Sequence, residues 1–154
     1  MTKRKNRISI VISFVLAFIA LAALIFLTVV IPSLVDSYID LTGRTEYFTD
    51  AERLWVKIIF YAILIPAYVA DASLIAILYL AHKGLIFSDT TVYLLRLISL
   101  CCFAEVLLFG AMSIFFIMGL VISFAALFLG IVLRVVKNVI EEAVSIKAEN
   151  DFTV

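Results

Sequence analysis

Histidine and cysteine, from which most metal centres and many nucleophilic sites are built, are nearly missing: 154 residues hold one histidine and two cysteines. Cys101 and Cys102 are neighbours inside an apolar run. That placement excludes a disulfide framework and lacks the four-ligand spacing of a zinc site, so both read as small packing residues. His82 sits beside Lys83 at the edge of an apolar run and reads as a solvated helix end. No phosphate-cradling glycine loop and no nucleophile-base set is present. The chain therefore reads as non-enzymatic, with no catalytic residue, metal ligand or cofactor to assign. Net charge is also lacking, with Lys plus Arg and Asp plus Glu at 12 each, which leaves no electrostatic ground for direct binding of nucleic acid.

What is abundant is hydrocarbon. Hydrophobic residues make up 66% of the chain and the mean hydropathy is +1.23, against roughly half apolar residues in soluble domains. The pattern is that of an all-α integral membrane protein, a single transmembrane domain over residues 1–154. Residues 8–31 carry no charge and would span ~36 Å as a helix. Lys3, Arg4, Lys5 and Arg7 precede them. A signal peptide also opens on basic residues, but its apolar part is typically ~7–15 residues long, so this segment is expected to be a retained first helix. Ser9, Ser13, Ala17 and Ala20 form a small-residue strip along it.

Residues 32–53 are the one sizeable hydrophilic connection, with Asp36, Asp40, Glu46, Asp50 and Glu52 against Arg44 and Arg53, and with Tyr38, Tyr47, Phe48 and nearby Trp55 suited to a membrane-water boundary. Thr49 and Glu52 have capping-box spacing, which predicts a second helix over residues 50–81, long enough to tilt, project or bend at Pro66. Gly84 suits a helix C-terminus and Ser88 an N-cap, with Asp89 complementing the positive helix end. A third helix is predicted over 90–112 and a fourth over 116–136, joined by a tight apolar turn between 110 and 119. Gly119, Ser123, Ala126 and Gly130 fall within roughly 60° of one another on the fourth helix. This second strip matches the one on helix one and suggests that helices one and four pack face to face.

Residues 137–149 hold no glycine or proline and continue the fourth helix as a two-faced tail. Its apolar side includes Val136, Ile140 and Ala143, and Glu149 and Asp151 bring negative charge near its end. Such a tail can lie on the membrane, extend a homo-oligomer or meet a soluble partner. Nine of the 12 basic residues fall at the two termini and around the 82–89 turn, and three fall on the other side. The imbalance places both termini in the cytoplasm.

Two acids lie deep. Asp71 is ~17 Å from the near end of its helix and Glu105 ~24 Å from the start of its own, and ionised acids at such depth cost at least a few kcal/mol unless paired, protonated or wet. By depth, Arg96 is the natural partner of Asp71. Arg96 and Glu105, nine residues apart, project to opposite sides of helix three, which leaves Glu105 to Tyr68, a serine or protonation. The four form an expected intramembrane polar network, read as interhelical glue or as a proton or ligand relay.

Two segments carry a family likeness: GLIFSDTTVYLLRLISLCCFAE over residues 84–105 and LRVVKNVIEEAVSIKAENDFTV over 133–154. They resemble small bacterial four-helix membrane proteins catalogued as domain of unknown function 2975, which show a G-x-x-F-[ST] turn, a Leu-Arg-x-Ile-Ser/Gly helix and an acidic Glu-Asn-Asp-Leu-Thr-Val/Ile tail. Phe152 stands here at the usual leucine position. The resemblance implies bacterial origin, four helices and no known enzymatic activity, and the expected location is the bacterial inner (cytoplasmic) membrane. Members are often encoded beside a very small Cro-like helix-turn-helix regulator, which suggests a membrane regulator holding that protein at its cytoplasmic face. The alternative is a small transporter or bacteriocin-immunity protein using Asp71 and Glu105.

Overall fold

A computed structural model describes the backbone over residues 2–41 and 49–151 and the side chains over 9–41 and 49–149. Four α-helices follow one another: α1 (Thr2–Leu41), α2 (Asp50–His82), α3 (Asp89–Met112) and α4 (Met118–Asp151). No strand occurs among the described residues. Each helix holds a stretch long and apolar enough to cross a bilayer, as the sequence predicts. The expectations that rest on Arg44, Glu46, Tyr47 and Phe48, and on the side chains of Lys3, Arg4, Lys5, Arg7 and Asp151, lie outside the described residues.

The helix ends obey local chemistry. Thr49 accepts from the amide of Glu52 while the Glu52 carboxylate accepts from the amide of Thr49, closing the predicted capping box. Ser88 caps α3 by accepting from the amide of Thr91, and Gly84 adopts φ +75°, the left-handed conformation that glycine takes without a Cβ penalty. Residues 113–117 make the α3–α4 turn, inside the predicted window. There Gly119 is dictated by contact: a Cβ on it would lie 2.7 Å from the carbonyl oxygen of Phe109 and 2.9 Å from the amide nitrogen of Ser113.

The first correction concerns α1, which does not stop before Pro32 but runs through it to Leu41. A proline forfeits one main-chain bond and strains its preceding turn, and here tertiary packing outweighs that loss. Val35 and Ile39 beyond the proline are buried, and Asp36 and Asp40 on the same stretch reach Arg53 and Lys57 of α2. Likewise, α2 continues through Pro66.

The second correction concerns packing order. Close backbone approaches join α1 to α2, α2 to α3 and α3 to α4, and among the described residues no other pair of helices. The four helices thus form an open row rather than a closed bundle, and α1 does not meet α4. The small-residue strip on α4 packs instead on α3. Ser99 Oγ donates to the Gly130 carbonyl at 2.9 Å, and Ser123 Oγ donates to the Val106 carbonyl at 2.8 Å. These two bonds fix an antiparallel register in which Asp89 is level with about residue 140, so that roughly 16 Å of α4 runs past the start of α3. On α1, Ala17 of the other strip is buried in a helix whose backbone, among the described residues, approaches that of α2 and of no other helix.

A hydrophobic core lies at the end of the row that carries the α1–α2 and α3–α4 connections. Ile31, Val35, Ile39, Val56, Leu64 and Met112 meet there, with Phe115 and Phe116 of the turn packed against them. Elsewhere the helices present large apolar side chains outward, from Val11 and Phe26 on α1 to Phe124 and Phe128 on α4. In a protein whose solvent is hydrocarbon, such faces are the expected outer surface.

Candidate functional site

The four residues of the expected intramembrane network lie on α2 and α3, but they do not join into one network. Asp71 is only 7% exposed, and its Oδ2 is buried with no hydrogen-bond partner. Arg96, its expected partner, is 57% exposed at the side chain and pairs with Glu141 of α4 at 3.5 Å. Azimuth decides this where depth alone misled. Arg96 is one turn before Ser99, and the face that carries Ser99 to Gly130 carries the guanidinium to α4 as well. Lys137 also pairs with Glu141, one helical turn away.

Glu105 projects about 120° round α3 from Ser99, away from the α4 contact. Its Oε2 is likewise buried without a hydrogen-bond partner. Tyr68 does not supply one, because its hydroxyl lies 2.8 Å from Thr28 Oγ1 on α1. Thr28 commits its own hydrogen to the Leu24 carbonyl at 2.8 Å, so Tyr68 must be the donor in that contact and its single proton is used. Tyr61 adds a bond to the Thr28 carbonyl at 3.3 Å. Two tyrosines of α2 therefore clasp α1 near its midpoint, while two carboxyls of α2 and α3 each keep an unsatisfied oxygen.

Sequence reasoning missed an ion cluster near the α1–α2 connection. Lys57 Nζ lies 2.9 Å from Asp36, and Arg53 reaches Asp40 at 3.4 Å and Asp36 at 3.9 Å. The signal was present as an acidic pair four residues apart, Asp36 and Asp40, and a basic pair four residues apart, Arg53 and Lys57. Reading residues 32–53 as a connection concealed it. On the other side of α1 from those carboxylates is an apolar cavity of about 730 Å³. It is bounded by Leu27 and Leu34 of α1, Ile63 of α2, Phe109 of α3 and the α3–α4 turn.

Of the residues expected to meet a partner, Val136 is exposed, Ile140 and Ala143 are half-buried and Glu149 is exposed. The more open apolar side chains of this stretch are Val135, Val139 and Ile146, on the same apolar side of the helix. Cys101 is buried and Cys102 half-buried. A Cβ on Gly130 would lie 3.2 Å from the Cβ of Cys102, which fits the reading of the cysteines as packing residues.

Residues 37–154 match the family described as "Protein of unknown function (DUF2975)". The chain belongs to that family. A curated relative, "Uncharacterized membrane protein YoaS" of Bacillus subtilis (strain 168), is 28% identical over 163 aligned positions that cover 97% of this chain and 99% of the relative. No solved structure matches. The DUF2975 match takes in the last turn of α1 and all of α2, α3 and α4, and so includes Asp71, Glu105 and the Arg96–Glu141 pair. Both segments on which the sequence resemblance rests lie inside it.

Proposed function

We propose that the protein is a non-enzymatic regulator of the bacterial cytoplasmic membrane, with both termini inside, that holds a small helix-turn-helix DNA-binding protein against the end of α4. The observation that carries this reading is that α4 continues unbroken to Asp151 and overruns α3 by about three turns. That overrun is a two-faced cytoplasmic extension. Ile146 is an exposed apolar contact along it and Ala143 is half-buried, Val136 and Val139 are exposed and Ile140 half-buried in the turn just before it, and the sequence supplies acid at Glu149 and Asp151 for a DNA-reading surface, which is basic. The nine-to-three division of basic residues supports the inward orientation.

The test is a truncation after Glu141, which keeps the Arg96 contact while removing the end of the extension. Co-purification of the intact chain with the neighbouring regulator, lost on truncation while four crossings persist, is the expected result. A regulator that never co-purifies, or that binds the truncated chain equally well, rules the reading out.

The two unpartnered carboxyl oxygens favour a second reading, a small transporter or bacteriocin-immunity protein working through Asp71 and Glu105. Under it, Asp71→Asn and Glu105→Gln abolish the cellular phenotype and truncation after Glu141 does not, the reverse of the pattern expected above.

A further inference from the structure

The apolar cavity is a consequence of the open row. Among the described residues the backbone of α1 approaches that of α2 and of no other helix, so no helix fills the space beside α1 and the α3–α4 turn, although Met112, Phe115 and Phe116 pack against the far end of α1. The edge-to-face contact of Tyr38 with Phe116, with centroids 5.1 Å apart, crosses the gap there. The resulting space of about 730 Å³ falls in the ~300–1,000 Å³ range of small-ligand sites. Its walls are mostly hydrocarbon. Of the polar groups in the lining, Ser113 has already given its hydroxyl hydrogen to the Gly110 carbonyl at 2.6 Å.

Shape and position identify the occupant. The cavity follows α1 from Leu27 to Tyr38, a rise of ~16 Å, which matches the ~15 Å hydrocarbon depth of one leaflet. Its rim is formed by Leu34, Ile114, Ile117 and Met118, all exposed. Leu34 and Met118 belong to stretches apolar enough to cross the bilayer, which favours a mouth that opens sideways to lipid. Asp36 and Asp40 project from a different side of α1, toward Arg53 and Lys57, and put no charge into the opening.

We propose that this cavity binds one acyl chain of a membrane lipid, which enters laterally from the leaflet beside the α1–α2 and α3–α4 connections. A flexible methylene chain meets every demand of the site: it is long, narrow and apolar, and it needs no hydrogen-bond donor. The site does not depend on any cytoplasmic partner.

The full chain is reconstituted in nanodiscs of phosphatidylethanolamine and phosphatidylglycerol that hold a trace of phosphatidylethanolamine with a photoreactive, clickable acyl chain. Labelled residues are then mapped after irradiation. The expected label concentrates on the cavity wall at Leu34, Ile63 and Phe109 rather than on Phe124 and Phe128, which are exposed but outside it. Ile63→Trp fills the cavity from within. Leu34→Trp does so from a half-exposed wall position that does not support the core, so it keeps the test decisive if the first variant misfolds. Either filling should lower wall labelling by about tenfold, the displacement of roughly two buried methylenes, and leave Phe124 labelling unchanged. Equal labelling of wall and outer positions, wall labelling indifferent to Leu34→Trp, or cross-linking of two copies through Leu34 in place of lipid would each overturn the proposal.

Discussion

Ser99 of α3 gives its hydroxyl proton to the carbonyl of Gly130 on α4, and the two helices lie so close there that a Cβ on Gly130 would press to 3.2 Å from the Cβ of Cys102. Close approach and the interhelical bond depend on one another. Ser99→Ala should therefore cost little, about 0.6 kcal/mol by the average of membrane hydrogen bonds. Gly130→Leu should cost about 1–3 kcal/mol by overpacking. Thermal unfolding of the detergent-solubilised protein reads both, and equal losses would mean that the hydroxyl rather than the close approach sets the interface.

Gly119 is the harsher case. Its missing Cβ would fall 2.7 Å from main-chain oxygen rather than from a movable side chain, so even Gly119→Ala must displace the α3–α4 turn. We expect it to destabilise more than Gly130→Ala does in the same unfolding assay. The opposite ranking would show that the turn can relax.

Asp71 and Arg96 should behave independently, since the guanidinium pairs with Glu141 instead. Arg96→Leu should cost less than about 1 kcal/mol because both partners are half exposed, and it should add to Asp71→Asn without coupling. A double variant recovering the stability lost by either single change would restore the Asp71–Arg96 pairing that depth alone suggests.

Replacing Asp71 by leucine should raise stability. The carboxyl is buried with an oxygen that nothing satisfies, and removing such a group relieves a desolvation cost of about 1–3 kcal/mol. An unchanged or lowered unfolding temperature would mean that an ordered water or ion completes the site. A raised temperature accompanied by loss of the cellular phenotype would mark Asp71 as a residue held for function at the expense of stability.

Orientation is tested by reporter fusions. Fusions at residue 43 should read as external, and those at Gly84 and after residue 154 as cytoplasmic. An external C-terminus would remove the α4 extension from reach of any DNA-binding protein.

Local signals were readable in the residues themselves. Thr49 with Glu52, Ser88 and Gly84 each act within a few positions along the chain, so their spacing suffices to place the helix ends. The small-residue strip on α4 was readable too, but not its partner, because a stripe states that some backbone comes close without stating which one. The run of α1 past Pro32 could not be read locally. It rests on the burial of Val35 and Ile39 and on ion pairs to α2, contacts between residues far apart in sequence. Depth alone sets Arg96 beside Asp71, whereas the direction of its side chain relative to α4, which no local signal carries, takes it to Glu141. The two unsatisfied carboxyl oxygens were foreseen as costly, yet their separation from both Arg96 and the Tyr68 proton emerges only in three dimensions.

A row of helices that never closes on itself has no inside in the sense that a barrel or bundle has one. Each helix presents large apolar side chains outward along at least one flank, and outside the core around Met112 little protein separates the helix interfaces from lipid. Lateral pressure and leaflet thickness therefore act directly on the contacts that hold the molecule together. The same chain moved to a thinner or more fluid bilayer experiences a change of environment comparable to a set of core mutations, and its conformation is a joint property of the protein and the membrane that hosts it.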